Sequence, residues 1–337
     1  MHGKKIPRYT AIFISLILIS LAAGCFCSNS HNGNNSLSQI TILLDWTPNT
    51  NHTGIYIAQK MGYFRNEGLD VTIQQPPQES STALVAAGKV EFAVAFQDFL
   101  APALTSDTPL PVKTVAALVQ HNTSGIVCKR SANIRTYADL EFKNYSTFDN
   151  FIELALLKYC VELQGGRVEN INLVRNQTNN IAAALGTNID AAWGYFGIES
   201  IAATSFGIEN DFLFFRDVDP VLDFYTPVLI CSKSYINRNP EIIKKVLTAL
   251  SNGYTFAAGH PKEAADILIE CVPELDSTIT RKSQKYISTQ YIAGATSWGK
   301  IDATRWNNFY DWLFENKIIK RQIPHDSSFT NEFLPEG

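Results

Sequence analysis

The sequence predicts an α/β protein of two lobes, with parallel-rich sheets, flanking helices and a ligand cleft between the lobes. Three observations carry this. Over residues 40–119 short β-rich runs alternate with short helical runs, the pattern of parallel βαβ units. The alternation starts again at residue 126. After residue 231 the chain turns helical, which returns it to the first lobe.

Residues 40–44 alternate and are β-rich, a first strand. The polar run Asp45-Trp46-Thr47-Pro48-Asn49-Thr50-Asn51-His52 is the loop after it. Residues 54–61 are helical by composition and Gly62 ends them. Residues 71–73 form a second strand, 80–87 a helix, 92–96 a third strand, 100–105 a helix and 112–119 a fourth strand. Ligands of such sheets sit beyond the carboxyl ends of strands. That rule gathers residues 45–52, 96–99 and 120–125 at one cleft, joined by a segment of the second half.

Residues 126–128 open the second unit. Residues 137–140 and 152–163 read as helices, 171–174 as a strand, 179–185 as a helix and 191–193 as a strand. Residues 195–204 look helical, and 212–215 and 228–231 look like strands. Asn239 reads as a cap with Pro240 after it, and Ile242, Ile243, Val246, Leu247 and Leu250 form one apolar stripe. Residues 261–271 repeat that logic, and 304–315 carry Trp306, Phe309, Tyr310 and Leu313 as a docking face. The expected division is 39–124 for the first part of lobe 1, 125–225 for lobe 2 and 226–337 for the lobe 1 return, with crossovers near Ser124 and Tyr225.

The 337 residues hold 28 Lys plus Arg against 32 Asp plus Glu, a formal net charge of −4. That balance, without a basic run, gives no footprint for nucleic acid. Lys4, Lys5 and Arg8 precede an apolar core over 11–21 and the run Leu21-Ala22-Ala23-Gly24-Cys25. The core is shorter than the roughly 20 residues of a membrane span. The pattern is that of an export signal, and its end resembles a bacterial lipobox. The expectation is therefore a signal peptide over 1–24, a lipidated Cys25 and a flexible tether over 25–38 rich in Asn, Ser and Gly. Cys128, Cys160, Cys231 and Cys271 sit in apolar stretches and read as buried thiols, with no metal-ligand spacing.

Several motifs occur in one order. They are Asp45-Trp46-Thr47-Pro48-Asn49 with His52, Gly54 and Tyr56; Gly62-Tyr63-Phe64; Gly68-Leu69; Gly88-Lys89-Val90-Glu91-Phe92; His121-Asn122-Thr123-Ser124-Gly125; Asp223-Phe224-Tyr225-Thr226-Pro227; and Thr330-Asn331-Glu332-Phe333-Leu334. Over residues 39–334 the chain resembles the type II periplasmic binding proteins, and within them the group for thiamine-pyrimidine uptake and synthesis. The Gly-Tyr-Phe and Gly-Leu stretch is shared with sulfonate, nitrate and taurine binders. The first and fifth motifs look like the substrate-binding lipoproteins for formylaminopyrimidine. The resemblance implies a monomer tethered outside the membrane by lipid alone, which captures a small pyrimidine and delivers it to an ABC permease and its ATPase.

A methyl-aminopyrimidine is flat, polar at its edge and uncharged. It needs an aromatic face, worth about 0.5–1.5 kcal/mol beyond burial. Trp46 can supply that face and Tyr195 a second face or a hydroxyl. Asp45, Asn49 and Glu199 can read the edge, and Asn122, Thr123 and Ser124 can grip a formyl or aminomethyl arm. Tyr195 and Glu199 are four apart, the spacing of one helical face. His52 reads as a scaffold residue or a ligand contact, and Tyr225 as a ligand contact or a residue that packs at the hinge. Phe148 stands where relatives often carry a tryptophan.

The same resemblance reaches fungal pyrimidine synthases, which use pyridoxal phosphate and a histidine. Their lysine position falls at Ala95, their histidine at Phe99, and their cysteine-rich stretch at 221–225, which has no cysteine. Without the amine no Schiff base forms. The expectation is a binder without catalytic residues, cofactor or metal. Another flat ring such as riboflavin stays open as the ligand.

Overall fold

The computed structural model describes residues 37–175 and 180–336. The expected signal peptide, Cys25, Cys27, most of the tether and Asn179 lie outside the described residues.

The chain builds β1 (Ser38–Leu43), α1 (Thr53–Lys60), α2 (Tyr63–Asn66), β2 (Leu69–Gln74), α3 (Ser81–Ala86), β3 (Phe92–Ala95), α4 (Gln97–Thr105) and β4 (Val112–Ala117). It continues through β5 (Ser124–Lys129), β6 (Asn144–Thr147), α5 (Phe151–Leu163), β7 (Asn172–Arg175), α6 (Ile181–Leu185), β8 (Ala191–Tyr195), α7 (Ile201–Ser205) and β9 (Asn210–Phe214). Then follow β10 (Val228–Ser232), α8 (Lys233–Arg238), α9 (Pro240–Gly259), α10 (Pro261–Cys271), α11 (Ser277–Ile287) and α12 (Ala303–Glu315).

Among the described residues two five-stranded sheets result, ordered β2-β1-β3-β10-β4 and β7-β6-β8-β5-β9. β1 is parallel to β2 and β3, and β6 to β7 and β8. β10 runs against β3 and β4, and β5 against β8 and β9. These two antiparallel strands are the ones entered straight from the other sheet, through residues 118–123 and 215–227. A helical crossover carries the chain back to the starting end of its own sheet and yields a parallel strand. A direct passage enters at the carboxyl end of the neighbouring strands, so the new strand must run the other way.

Central strands are apolar without alternation, as burial on both faces demands: every residue of β3 and β10 is buried. One apolar cluster lies between sheet 1 and the helices α1 and α9, where a Cβ on Gly253 would meet the Gly54 carbonyl oxygen at 2.1 Å. Another joins residues of both sheets under α5 and α12. There Phe309 stacks on Phe224 at 4.2 Å, and Trp312 meets Tyr159 edge-on at 4.9 Å.

The structure departs from the sequence reading in several places. Residues 137–140 form a 3-10 turn. β6 occupies residues to which the sequence assigns no element; its polar Asn-Tyr-Ser-Thr is held by strands on both sides. α11 was not anticipated because its inward stripe of Thr280, Ser283 and Gln284 is polar. Two of those side chains meet hydroxyls: Ser283 lies 2.6 Å from the Thr50 hydroxyl in the loop after β1, and Thr53 at the start of α1 donates to Gln284 at 2.7 Å. Asn239 precedes α9 but makes no side-chain cap; its amide donates to the Tyr235 carbonyl instead. Cys128, Cys160 and Cys231 are buried free thiols, and Cys271 is half-buried. Among the described residues no helix is long and apolar enough to cross a membrane.

Candidate ligand-binding cleft

A cleft of about 620 Å³ opens at the carboxyl ends of β1, β3, β6 and β8. One wall comes from the loop at residues 45–51 with Phe96 and Phe99. The other comes from Phe148, Asn150, Glu153, residues 180–182, Trp193, Tyr195 and residues 197–199. Residues from Leu275 to Ser283 close one side.

The loop after β1 is fixed by its own polar groups. Asn49 precedes a 3-10 turn and accepts from the Asn51 amide at 2.9 Å, while its Nδ2 donates to the Thr47 carbonyl at 3.1 Å. The Asn49 amide N–H donates to His52 Nδ1 at 3.2 Å. An accepting Nδ1 leaves the proton on Nε2, which donates to Asp45 Oδ1 at 2.5 Å. His52 is fully buried, so it anchors Asp45 from behind and lies off the cleft wall. Trp46, at the tip of this braced loop, keeps 46% of its surface exposed.

On the opposite wall Tyr195 is the last residue of β8 and pairs with Ser124, so it is not on the helix of Glu199. A π turn over Phe196–Ser200 intervenes and swings Glu199 back. Its Oε2 accepts from the Tyr195 amide at 2.6 Å. Gly194 makes room, since a Cβ there would sit 2.9 Å from the Glu199 Cβ. Burial pushes the Glu199 carboxyl up to about 7. The Tyr195 hydroxyl lies 3.0 Å from the Thr226 hydroxyl, and its ring stacks with Phe96 at 6.3 Å.

Asp45, Trp46, Asn49, Tyr195 and Glu199 thus share the cleft. Asn122, Thr123, Ser124 and Tyr225 are buried away from it. Asn122 ties the two crossovers: its amide N–H donates to Asp223 and its Nδ2 to the Leu222 carbonyl, both at 2.8 Å. Its Oδ1 accepts from the Ser124 amide and hydroxyl. Arg305 on α12 lies 4.0 Å over the Tyr225 ring and donates to Asp223 at 3.0 Å. Burial raises the Asp223 carboxyl, but the His121 hydrogen bond and the Arg305 charge outweigh it, and the net shift is downward.

Glu153, Trp193 and Asp276 line the cleft and were missed. Glu153 is buried and accepts from Tyr145, Thr147 and the Phe148 amide. Burial raises its carboxyl in spite of those donors. A lone acid opening an apolar helix was the available signal for it.

The fold is that of the two-lobe periplasmic binding proteins. It superposes on the periplasmic aliphatic sulphonate-binding protein SsuA of Escherichia coli with a TM-score of 0.68 and 14% identity, covering 90% of this chain and 95% of that one. Residues 49–264 match the family described as NMT1/THI5 like, and the chain belongs to it. The formylaminopyrimidine-binding protein of Halalkalibacterium halodurans is 26% identical over 94% of this chain and 97% of its own. A 4-amino-5-hydroxymethyl-2-methylpyrimidine phosphate synthase of Legionella pneumophila is 24% identical over 89% and 93%.

Proposed function

We propose that this chain is an extracytoplasmic solute-binding lipoprotein, anchored through Cys25, that captures a thiamine-related aminopyrimidine and hands it to an ABC permease and its ATPase. The observation that carries the reading is the cleft itself. In this reading a flat ring lies against Trp46 on the loop after β1, with the Phe96–Tyr195 pair and Glu199 among the residues that line the same cleft. Asn49 reads the edge with the N–H and lone pair its turn leaves over. The likeness to a formylaminopyrimidine-binding protein along nearly the whole chain supports the ligand class. The hydrogen-bonded crossovers at Asn122 and Asp223 are the hinge about which the lobes close on the ligand.

The family includes synthases. Ala95 lies in β3 and Phe99 on the cleft wall, at the positions where the resemblance puts the synthases' lysine and histidine. Among the described residues no lysine lines the cleft. These residues do not fit an aldehyde cofactor held as a Schiff base, which supports binding over synthesis.

Native mass spectrometry of protein from its host, followed by calorimetry with formylaminopyrimidine, hydroxymethylpyrimidine, thiamine and riboflavin, tests the reading. A pyrimidine that co-purifies and binds tightly supports it. Tight binding of riboflavin alone defeats it.

A further inference from the structure

The charged side chains lining the cleft are all acids: Asp45, Glu153, Glu199 and Asp276. No lysine, arginine or histidine lines it among the described residues. Nor is any of the four acids paired there with a lysine or arginine. Asp45 is held by the neutral tautomer of His52, Glu153 by two hydroxyls and an amide, Glu199 by the Tyr195 amide, and Asp276 by the Ile279 amide. These hydrogen bonds bring no positive side chain to any of the four. The other polarisable groups on the walls are aromatic: Trp46, Phe96, Phe99, Phe148, Trp193 and Tyr195. Ring faces attract cations too.

From this arrangement we infer that the cleft selects an aminopyrimidine bearing a positive charge, such as a protonated aminomethyl arm, over the same ring with that amine acylated. The inference rests on the pyrimidine reading and sharpens it. A neutral ligand would leave these acids without a counter-charge in the cleft. An anion would be repelled by those of the four that are ionised. A protonated amine is attracted by every charged group on the walls and by the ring faces beside it. The carboxyls of Glu153 and Glu199, raised by burial, ionise more readily beside a bound cation. The amine and its acylated form share one ring, so the difference between them isolates the arm's charge.

The test is calorimetry on the mature protein with two probes, an aminomethyl-substituted aminopyrimidine and its N-formyl derivative. The amine should bind about tenfold tighter or better, and added salt should narrow that preference. Asp276→Asn removes one charge and keeps a side chain that caps α11 equally well. Glu153→Gln removes another from the opposite wall. Each should shrink the amine preference about threefold or more, with little change for the formyl compound. Equal or tighter binding of the formyl compound overturns the charge inference and leaves the pyrimidine reading standing. An amine preference unchanged in both variants also overturns it. If neither probe binds, the pyrimidine reading falls and this inference falls with it.

Discussion

Replacing Trp46 with alanine separates the cleft from the core. The indole keeps 46% of its surface exposed. A tryptophan presents up to about 250 Å², so roughly 115 Å² remains for a ligand to cover. A flat ring covers one face, about half of that, worth ~1.5 kcal/mol at about 25 cal/mol per Å². Stacking adds about 0.5–1.5 kcal/mol. The variant should therefore lose ~2–3 kcal/mol of binding, a weakening of about 30- to 150-fold. Stability should move little, because the loop is held by Asn49, His52 and Thr47 and not by the indole. Calorimetry with the pyrimidine and a thermal melt of the same sample read the two quantities. Unchanged affinity, or a melting point that falls as far as the affinity does, would refute the placement of the ring on Trp46.

Other perturbations reach different parts of the argument. His52→Ala removes the buried donor behind Asp45 and the acceptor of the Asn49 amide, so it should cost about 1–3 kcal/mol in denaturant titration and weaken binding as the loop relaxes. Glu199 has its carboxyl raised from 4.5 to about 7 by burial, so the folded state holds that proton more tightly than the unfolded chain. Its contribution to stability is present below pH 4.5 and is lost as the pH rises through about 7. Glu199→Gln should flatten the stability profile across that window, and melts at matched pH values check it. Small-angle scattering should show a smaller radius with ligand bound, as the lobes close about residues 118–123 and 215–227; binding without compaction would remove the hinge. Mass analysis of membrane-extracted protein should find a diacylglyceryl Cys25 as the first residue, and an intact Met1 would end the anchor reading.

The parts of the fold written in apolar periodicity were legible in the sequence, and the parts written in polar contacts were not. β3, β10 and α9 announce themselves because burial demands apolar runs or stripes. β6 and α11 are silent because hydroxyls and amides do their packing. The same split runs through the cleft. Trp46 was found because an aromatic in a Thr-Pro-Asn loop after a strand has few structural uses. Glu153 was lost inside an apolar helix, and Asp276 stands before a helix that carries no apolar stripe.

The narrowest sequence motif gives the sharper lesson. Within His121-Asn122-Thr123-Ser124-Gly125, residues Asn122, Thr123 and Ser124 read as a grip on the ligand's arm, yet the side chains of His121 and Asn122 turn to Asp223 and Leu222 on the other crossover and the Ser124 hydroxyl to Asn122. A chain that passes directly between sheets at two places brings two connecting segments side by side, and backbone polar groups there need partners. Asn122 supplies them with one side chain and one amide, and Arg305 brings α12 onto the same carboxylate. Polar residues in a fixed order can therefore mark the crossing of the chain as readily as a ligand. The two cases separate on one physical criterion. A residue proposed to read a ligand must line the cleft, as Glu199 does, whereas Asn122 lies off the cleft with its amide oxygen and nitrogen engaged within the protein.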